Sequence, residues 1–295
     1  MRAPLLPHTL PRASFFQPAF WSAVGKLKKR RFDTAIFFHR SKTKVWLAKL
    51  AGIPQRWGSS APGREKLLTR ACPAPILPLH RTDALLFLLN ELGIPSDGRR
   101  YDLIPDPLGR EELETVFREN GISPDEPYAV VHPGGNWELK RWPEAHFARW
   151  IELYLKEFGG KVILCGTRPE EGIAVRIRSC FESDSVVSLC GKTSIDALVF
   201  LLKDAVLLLS NDSGPIHLAA SQGTKIVGVY GPTSPAGTGP VSDAPAAILW
   251  KNVGCEVPCY FRSCNHRICM DWMKPEEVFE KTKVLLRETR PVPHA

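Results

Sequence analysis

The fold is decided by the stretch SNDSGPIHLAASQGTKIVGVYGPT, residues 210–233. The apolar run AVLLLS that leads into it does not alternate with polar residues, which is typical of a parallel strand covered on both faces. Asp212 and Ser213 stand where a helix N-cap belongs, and Pro215 fits the first helical turn. The stretch therefore predicts a buried strand, a tight turn, a helix and a second buried strand.

A helix that begins directly after a parallel strand points its unpaired N–H groups and its positive dipole end out of the carboxyl edge of the sheet. This arrangement attracts anions and suits phosphate best. Gly214 would let a ligand approach the backbone, and His217 lies one step inside the helix. The negative charge of Asp212 disfavours an anion contact, so we expect it to contact a sugar hydroxyl or to orient His217. An ordinary capped helix is the alternative, because such capping residues are common.

Strands and helices alternate along the chain, which predicts an α/β protein with parallel sheets and right-handed crossovers. We predict an N-terminal domain over residues 1–108, a linker region over 109–127 and a C-terminal domain over 128–295. The C-terminal strands are predicted at YAVVHP, KVILCG, SVVSLC, AVLLLS and KIVGVYG. The last helix, PEEVFEKTKVLL, is predicted to pack back on the first domain.

Composition and charge restrict the class of protein. The chain has 295 residues, of which 44% are hydrophobic and 24% charged, as in a globular protein of about two domains. No apolar run approaches the roughly 20 residues of a membrane span, and the N-terminus lacks the pattern of a signal peptide. We therefore expect a cytoplasmic protein.

The basic residues are concentrated at the start of the chain. Residues 1–70 hold 15 Lys and Arg against two acids, and the densest run is KLKKRR at 26–31. This charge attracts polyanions, such as a phosphorylated glycolipid, anionic membrane lipid or nucleic acid, although a solvated helix face is an alternative. Nucleic acid ranks lowest, because the sequence shows no recognition module.

Several ordered motifs flank residues 210–233. They are VVHPGGNWELKRWPEAHFARW, VILCGTRPEE, SLCGKTSIDALVFLL and CEVPCYFRSCNHRICMDWMKPEEV, and LKKRRFDTAIFFHRSKTKVWLAKLAGIPQRWG lies upstream. Together with SNDSGPIHLAA and GVYGPT, they resemble glycosyltransferase family 9, the ADP-heptose:lipopolysaccharide heptosyltransferases. The resemblance covers the chain from about Trp21 to Leu286.

The resemblance implies a GT-B-like fold, with two Rossmann-like parallel-sheet domains and a nucleotide cleft between them. It implies an inverting, metal-independent transfer of heptose from ADP-heptose to the inner core of lipopolysaccharide, without a cofactor. The expected partners are this donor, this acceptor and, by peripheral contact, the anionic inner face of the inner membrane. The alternative is a catalytically silent nucleotide-sugar-binding paralogue or fragment.

The donor site is assigned by the resemblance. The lysine before Trp-Pro binds phosphate in the family, which gives this role to Lys140. In the loop HPGGN, Gly134 and Gly135 would let phosphate approach the backbone, and Asn136 would add a polar contact.

The remaining donor contacts follow the same reasoning. Glu170 or Glu171 is a candidate for the ribose, unless these acids only complement a helix dipole. The CGKTSI loop (190–195) would hold the adenine. His217 is a candidate for a phosphate oxygen, and a structural histidine is the alternative. The predicted contacts at the turn after AVLLLS are Asp212, Ser213, Gly214 and His217.

The start of the chain departs from the family pattern. Family members open with a hydrophobic strand and a Ser-x-Gly-Asp-like turn, whose aspartate is taken as the general base. This sequence instead opens with MRAPLLPHTLPRASFFQPAFW, which contains four prolines. We therefore predict an incomplete N-terminal domain and assign no catalytic base, since neither His39 nor Asp33 has the right context.

Four cysteines near the C-terminus allow two interpretations. They fall within 15 residues but lack the C-x2-C spacing typical of structural zinc sites. We expect reduced structural cysteines and no metal, and a zinc site or a disulfide is the alternative. The residues are Cys255, Cys259, Cys264 and Cys269.

Overall fold

The computed structural model describes residues 17–76, 78–241, 243–259 and 264–288. The chain divides into two compact units, Met1–Gly98 and Arg99–Ala295. Most of the proline-containing opening segment lies outside the described residues. The predicted incompleteness of the first domain therefore stays a prediction.

The first unit contains a parallel sheet in the order β1-β2-β3 within the described residues. Its strands and helices are α1 (Pro18–Arg30), β1 (Thr34–Phe37), α2 (Lys42–Leu50), β2 (Gln55–Ser59), β3 (Arg70–Cys72) and α3 (Arg81–Glu91). Helices α1 and α2 bury Phe20, Leu27 and Val45 in one apolar cluster with Phe37 of β1. The sequence of β2, QRWGS, is largely polar and is not a recognisable strand pattern.

In the described part of the second unit, six strands form a parallel sheet in the order β6-β5-β4-β7-β8-β9. Its strands are β4 (Tyr128–His132), β5 (Lys161–Leu164), β6 (Val186–Ser188), β7 (Leu207–Asn211), β8 (Ile226–Tyr230) and β9 (Ala246–Trp250). This is the 3-2-1-4-5-6 order of a doubly wound sheet. The five predicted strands are confirmed, and β9 is an addition.

The helices of the second unit cover both faces of this sheet. They are α4 (Leu108–Glu119), α5 (Glu144–Phe158), α6 (Glu171–Arg178), α7 (Ile195–Asp204), α8 (Gly214–Ser221), α9 (Pro235–Thr238), α10 (Ile268–Asp271) and α11 (Pro275–Glu288). Alternate strand residues face opposite sides, so Val131 joins the cluster under α5, while Val130 joins the cluster under α4 and α7. Because helices cover both faces of the sheet, the side chains on both sides of a strand are apolar. This explains why the strand sequences do not alternate between apolar and polar residues.

The segment predicted as a linker carries a core helix. Leu113, Val116 and Phe117 of α4 are buried with Leu201 of α7, and the division between the units lies before α4, after Gly98. The amphipathic pattern of α4 explains this burial, because a helix with one apolar face is stable only against another element.

The final helix, α11, buries Val278 and Phe279 in the same cluster as Trp150 and Tyr154 of α5. Its apolar face therefore lies in the core of the second unit. The predicted contact with the first domain stays a prediction. Among the described helices, none is both long enough and apolar enough to cross a bilayer.

Candidate functional site

The candidate site lies where the strand order of the second sheet reverses. Strands β4 and β7 are neighbours, and His132 is in register with Ser210. Both strands are parallel, so the loops that follow them leave the same carboxyl edge side by side. In doubly wound sheets, this point is where ligands bind.

Lys140 and Asp212 form the ionic centre of the site. Lys140 ends a short 3-10 turn, Glu138–Lys140, and its Nζ lies 2.6 Å from Asp212 Oδ2. The side chains are only 11% and 6% exposed. Thr233 Oγ1 donates to the same carboxylate oxygen at 2.5 Å. The Lys140 ammonium also lies 4.6 Å from the centre of the Trp137 ring. These contacts fix the lysine, whose three N–H donors allow it to bind Asp212 and a phosphate oxygen together.

Asn211 ties the two loops together. Its Nδ2 donates to the carbonyls of Pro133 and Gly134 at 2.9 and 2.8 Å, and its Oδ1 accepts from the Trp142 N–H at 3.0 Å. The residue is fully buried. Because a buried amide is costly unless its groups are paired, these bonds hold the loop after β4 against the end of β7.

Glu170 connects the loop after β4 to the next βα unit. Its Oε1 accepts from the Gly135 N–H at 3.0 Å, and its Oε2 accepts from the Thr167 N–H and hydroxyl, both at 2.8 Å. His132 Nε2 lies 3.6 Å from Oε1. The proximity of His132, with the Thr167 bonds, lowers the pKa of Glu170 to about 2, so the carboxylate is ionised at neutral pH.

The glycines of this loop make room for Glu170. A Cβ at Gly134 would lie 1.8 Å from Glu170 Oε1, closer than any real contact. The N–H of Gly135 is already bonded to the same oxygen. The predicted approach of phosphate to these two glycines, and the contact of Glu170 with ribose, stay predictions. Asn136 follows them as an exposed loop residue.

The first turn of α8 forms the other side of the site. Gly214 is exposed, and the first N–H groups of a helix have no acceptor within the helix. Ser213 Oγ is held 3.0 Å from His132 Nδ1. The contact with His132 therefore fixes the turn, while the positive end of the α8 dipole remains exposed at Gly214.

His217 is contacted by Tyr101. The Tyr101 hydroxyl lies 3.0 Å from His217 Nδ1, and the Val241 N–H donates to that hydroxyl at 3.4 Å. The direction of the bond between the hydroxyl and Nδ1 depends on which ring nitrogen carries the proton. Asp212 Oδ2 is bonded to Lys140 and Thr233, and the predicted contact of Asp212 with His217 stays a prediction.

The structure thus brings together Lys140 and Asp212, which the sequence predicted separately. Asn211, Thr233 and Tyr101 were not predicted from the sequence. The Asn-Asp pair at the end of an apolar strand was a visible signal for Asn211. No local pattern indicated Tyr101, which is 116 residues from His217.

The cysteines near the C-terminus are free thiols in the described residues. Backbone N–H groups of Arg267 and His266 lower the pKa of the exposed Cys264 thiol. Within the described part of the chain, no group of three or more His, Cys, Asp or Glu side chains could hold a metal ion.

Comparison with known proteins gives a consistent result. Residues 20–266 match the family model "Glycosyltransferase family 9 (heptosyltransferase)". Lipooligosaccharide heptosyltransferase 2 of Haemophilus influenzae is 28% identical over 236 residues, which are 76% of this chain and 68% of that protein. The protein of the same name from Campylobacter jejuni is 30% identical over 164 residues, which cover 54% of this chain and 51% of its own length.

The fold also has solved relatives. The structure of Escherichia coli ADP-heptose lipopolysaccharide heptosyltransferase II matches with a TM-score of 0.72 at 23% identity, covering 90% of this chain and 80% of that one. At this identity the match shows the fold. The predicted GT-B-like fold class, with parallel-sheet α/β units, is confirmed.

Proposed function

Because the chain belongs to glycosyltransferase family 9, the heptosyltransferase family, we propose that it transfers heptose from ADP-heptose to the inner core of lipopolysaccharide. The observation that carries the proposal is the Lys140–Asp212 pair beside the open N-terminus of α8. A nucleotide diphosphate has the charge and the size to engage both features. The names of the relatives, which are lipooligosaccharide and lipopolysaccharide heptosyltransferases, support the sugar and the acceptor.

The donor diphosphate binds by charge and by hydrogen bonds in this proposal. Lys140 Nζ donates to one phosphate oxygen, and the N–H groups of Ser213 and Gly214 donate to another. His217 forms a hydrogen bond to a phosphate oxygen through its imidazole ring. Asp212 holds Lys140 in place and contacts a sugar hydroxyl. Lys140 therefore recognises the diphosphate of the donor, and Asp212 recognises its sugar.

The transfer proceeds as a single displacement with inversion, as the family resemblance implies. The acceptor hydroxyl oxygen forms a bond to the anomeric carbon while the bond from that carbon to the diphosphate oxygen breaks. ADP leaves with the bonding electrons, and the hydroxyl proton passes to a base that we do not assign. Lys140 and the dipole of α8 stabilise the charge that develops on the diphosphate, which is the part of the barrier that preorganised charge lowers. The proposal includes no resident metal.

The acceptor site is proposed on the basic first unit. Residues 1–70 carry a large excess of positive charge, which complements the phosphorylated groups of a lipopolysaccharide core. The proposed location is cytoplasmic, where nucleotide sugars are available.

A transfer assay tests the proposal. The full chain is incubated with ADP-heptose and with two deacylated core acceptors, one without heptose and one carrying a single heptose. Product is identified by mass, and ADP release is measured in parallel. The proposal predicts the addition of one heptose to one of these acceptors and the release of one ADP for each product. Binding of ADP-heptose without transfer would support the silent binding protein instead, and absence of binding would overturn both.

A further inference from the structure

The second unit begins with a segment that runs along helix α8. This segment, residues 99–107, precedes α4. Gln222, which follows the last residue of α8, donates from Nε2 to the carbonyl of Leu103 at 3.3 Å. Tyr101 lies two residues before Leu103, and its side chain contacts His217, which is nearer the start of the same helix. The segment is therefore bonded to α8 at two points, and one of them belongs to the candidate site.

The hydroxyl of Tyr101 is held between two polar groups. His217 Nδ1 lies 3.0 Å from the hydroxyl oxygen, and the N–H of Val241 donates to that oxygen at 3.4 Å. The Tyr101 ring is partly buried and packs against the apolar cluster under α4 and α7. A hydroxyl has one proton and two lone pairs, so it can pair with Nδ1 whether or not that nitrogen carries a proton. The contact is therefore compatible with either neutral tautomer of the imidazole.

The imidazole of His217 needs such a contact to keep one orientation. His217 is the fourth residue of α8 and is half-buried, close to the exposed Gly214 at the helix N-terminus. Its ring turns about two side-chain bonds, and the second of these has broad energy wells. A hydrogen bond at one ring nitrogen fixes the direction of the other, because both belong to one rigid ring. Tyr101 therefore sets how His217 faces a ligand at the start of α8.

The electrostatic surroundings place Tyr101 beside the ionic centre of the site. Burial raises the pKa of Tyr230, the last residue of β8, and the Asp212 carboxylate and Tyr101 raise it further. Both side chains thus lie close enough to act on one buried phenol at the carboxyl edge of the sheet. Tyr101 belongs to the same group of interacting side chains as the Lys140–Asp212 pair.

We propose that Tyr101 is a positioning residue for the nucleotide donor, which holds the imidazole of His217 in the orientation that binds a diphosphate oxygen. The assignment rests on the proposed function, because it takes the diphosphate to lie at the N-terminus of α8. Tyr101 does not touch the donor in this account. Its contribution to donor affinity passes through His217 and disappears when the imidazole is removed.

Titration of the full chain with ADP tests the assignment without sugar or acceptor. Tyr101→Phe keeps the ring and removes the hydroxyl, and the Kd for ADP should rise about threefold to tenfold, the effect of one ordered hydrogen bond. Tyr128→Phe is the matched control, because its hydroxyl donates to the Leu201 carbonyl at 3.0 Å and Tyr128 begins β4, at the end of the strand away from the site. Its Kd should equal that of the wild type. An unchanged Kd in Tyr101→Phe, or equal losses in the two variants, would overturn the assignment.

A double-mutant cycle separates positioning from a purely structural role. In a His217→Ala background, Tyr101→Phe should no longer change the Kd for ADP, because the hydroxyl acts through the imidazole. The same loss in both backgrounds would show that Tyr101 acts independently of His217, which contradicts the proposal.

Nuclear magnetic resonance of the ligand-free chain gives an independent readout. The Cε1–H signal of His217, identified by its loss in His217→Ala, should move in Tyr101→Phe and keep its position in Tyr128→Phe. A signal that does not move in Tyr101→Phe would overturn this assignment alone. A wild-type chain that shows the shift on substitution but does not bind ADP would instead overturn the proposed function on which the assignment rests.

Discussion

At the scale of single residues, the site depends on a buried ion pair whose members belong to different loops. Lys140 and Asp212 are 72 positions apart and are both nearly inaccessible to water. Removing one member of such a pair leaves an uncompensated buried charge, whereas replacing both costs much less. Their contributions to stability and to activity can therefore be separated.

Lys140→Ala should lower kcat/KM for heptose transfer by about a hundredfold to a thousandfold, the typical effect of losing one charge-stabilising donor. It should also destabilise the second unit by about 3 kcal/mol, because Asp212 loses its partner. The matched double variant Lys140→Met/Asp212→Asn should recover most of the stability but none of the activity. Denaturant unfolding and initial rates provide the two measurements. Recovery of activity in the double variant would contradict the role given to Lys140.

The lowered pKa of Glu170 leads us to predict a specific dependence of stability on pH. Its pKa in the folded protein is about 2, below the unfolded value of 4.5, so its contribution is fully present above about pH 4.5 and is lost as the pH falls toward 2. Glu170→Gln should therefore lower the free energy of unfolding at pH 7, and the difference from wild type should shrink between pH 4.5 and 2. Urea titrations of both proteins at several pH values measure this difference in the free energy of unfolding. Glu171→Gln, at the exposed neighbouring position, should show little of this effect; a difference that stays constant with pH for Glu170→Gln would refute the account.

At the scale of elements, the geometry of the site is set by the register of β4 against β7. His132 pairs with Ser210, so the next residues of both strands leave the sheet together. Asn211 and Glu170 then join the loop after β4 to β7 and to the turn before α6. The shape of the loop is therefore determined by its neighbours as much as by its own glycines.

Gly134→Ala should displace this loop, because the added methyl group would overlap Glu170 Oε1. We expect a loss of stability of about 1–3 kcal/mol, as for other overpacked sites, and a lower affinity for ADP-heptose. Gly172→Ala is the matched control. Its Cβ would make an ordinary contact at 3.5 Å inside α6, where alanine favours the helix. Thermal unfolding and donor titration of both variants give the comparison, and an unaffected Gly134→Ala would show that Glu170 moves freely.

Elements with a strong local pattern could be predicted from the sequence, and those determined by distant contacts could not. Strands β4, β7 and β8 are continuous apolar runs, because helices cover both of their faces. Strand β2 is partly buried, and its polar sequence QRWGS lacks that pattern. Strand β9, AAILW, is an apolar run at the edge of the sheet that was not predicted. For the same reason, Lys140 and Asp212 were recognisable as candidates, but their mutual bond and the contact of Tyr101 with His217 were not.

At the scale of the whole molecule, the division between the units depends on α4. Helix α4 packs against α7 so closely that a Cβ at Gly109 would lie 2.7 Å from the backbone of Asp196. Its buried face belongs to the core of the second unit. A boundary placed after α4 would therefore expose apolar surface on α7.

Residues 99–295, expressed alone, should fold as a cooperative unit, because they contain both clusters that cover the six-stranded sheet. Residues 121–295 should unfold at a lower temperature or aggregate, since they lack α4 and its buried Leu113, Val116 and Phe117. Circular dichroism and size-exclusion chromatography of the two fragments test this. Equal stability of the two would contradict the assignment of α4 to the second unit.

The most direct test of the central claim is a crystal structure of the full chain with ADP-heptose bound. We predict that a diphosphate oxygen lies within hydrogen-bonding distance of Lys140 Nζ and that another accepts from the backbone N–H of Gly214. We also predict that Asp212 remains bonded to Lys140. A diphosphate found away from the carboxyl edge of β4 and β7, with Lys140 bonded only to Asp212, would contradict the account.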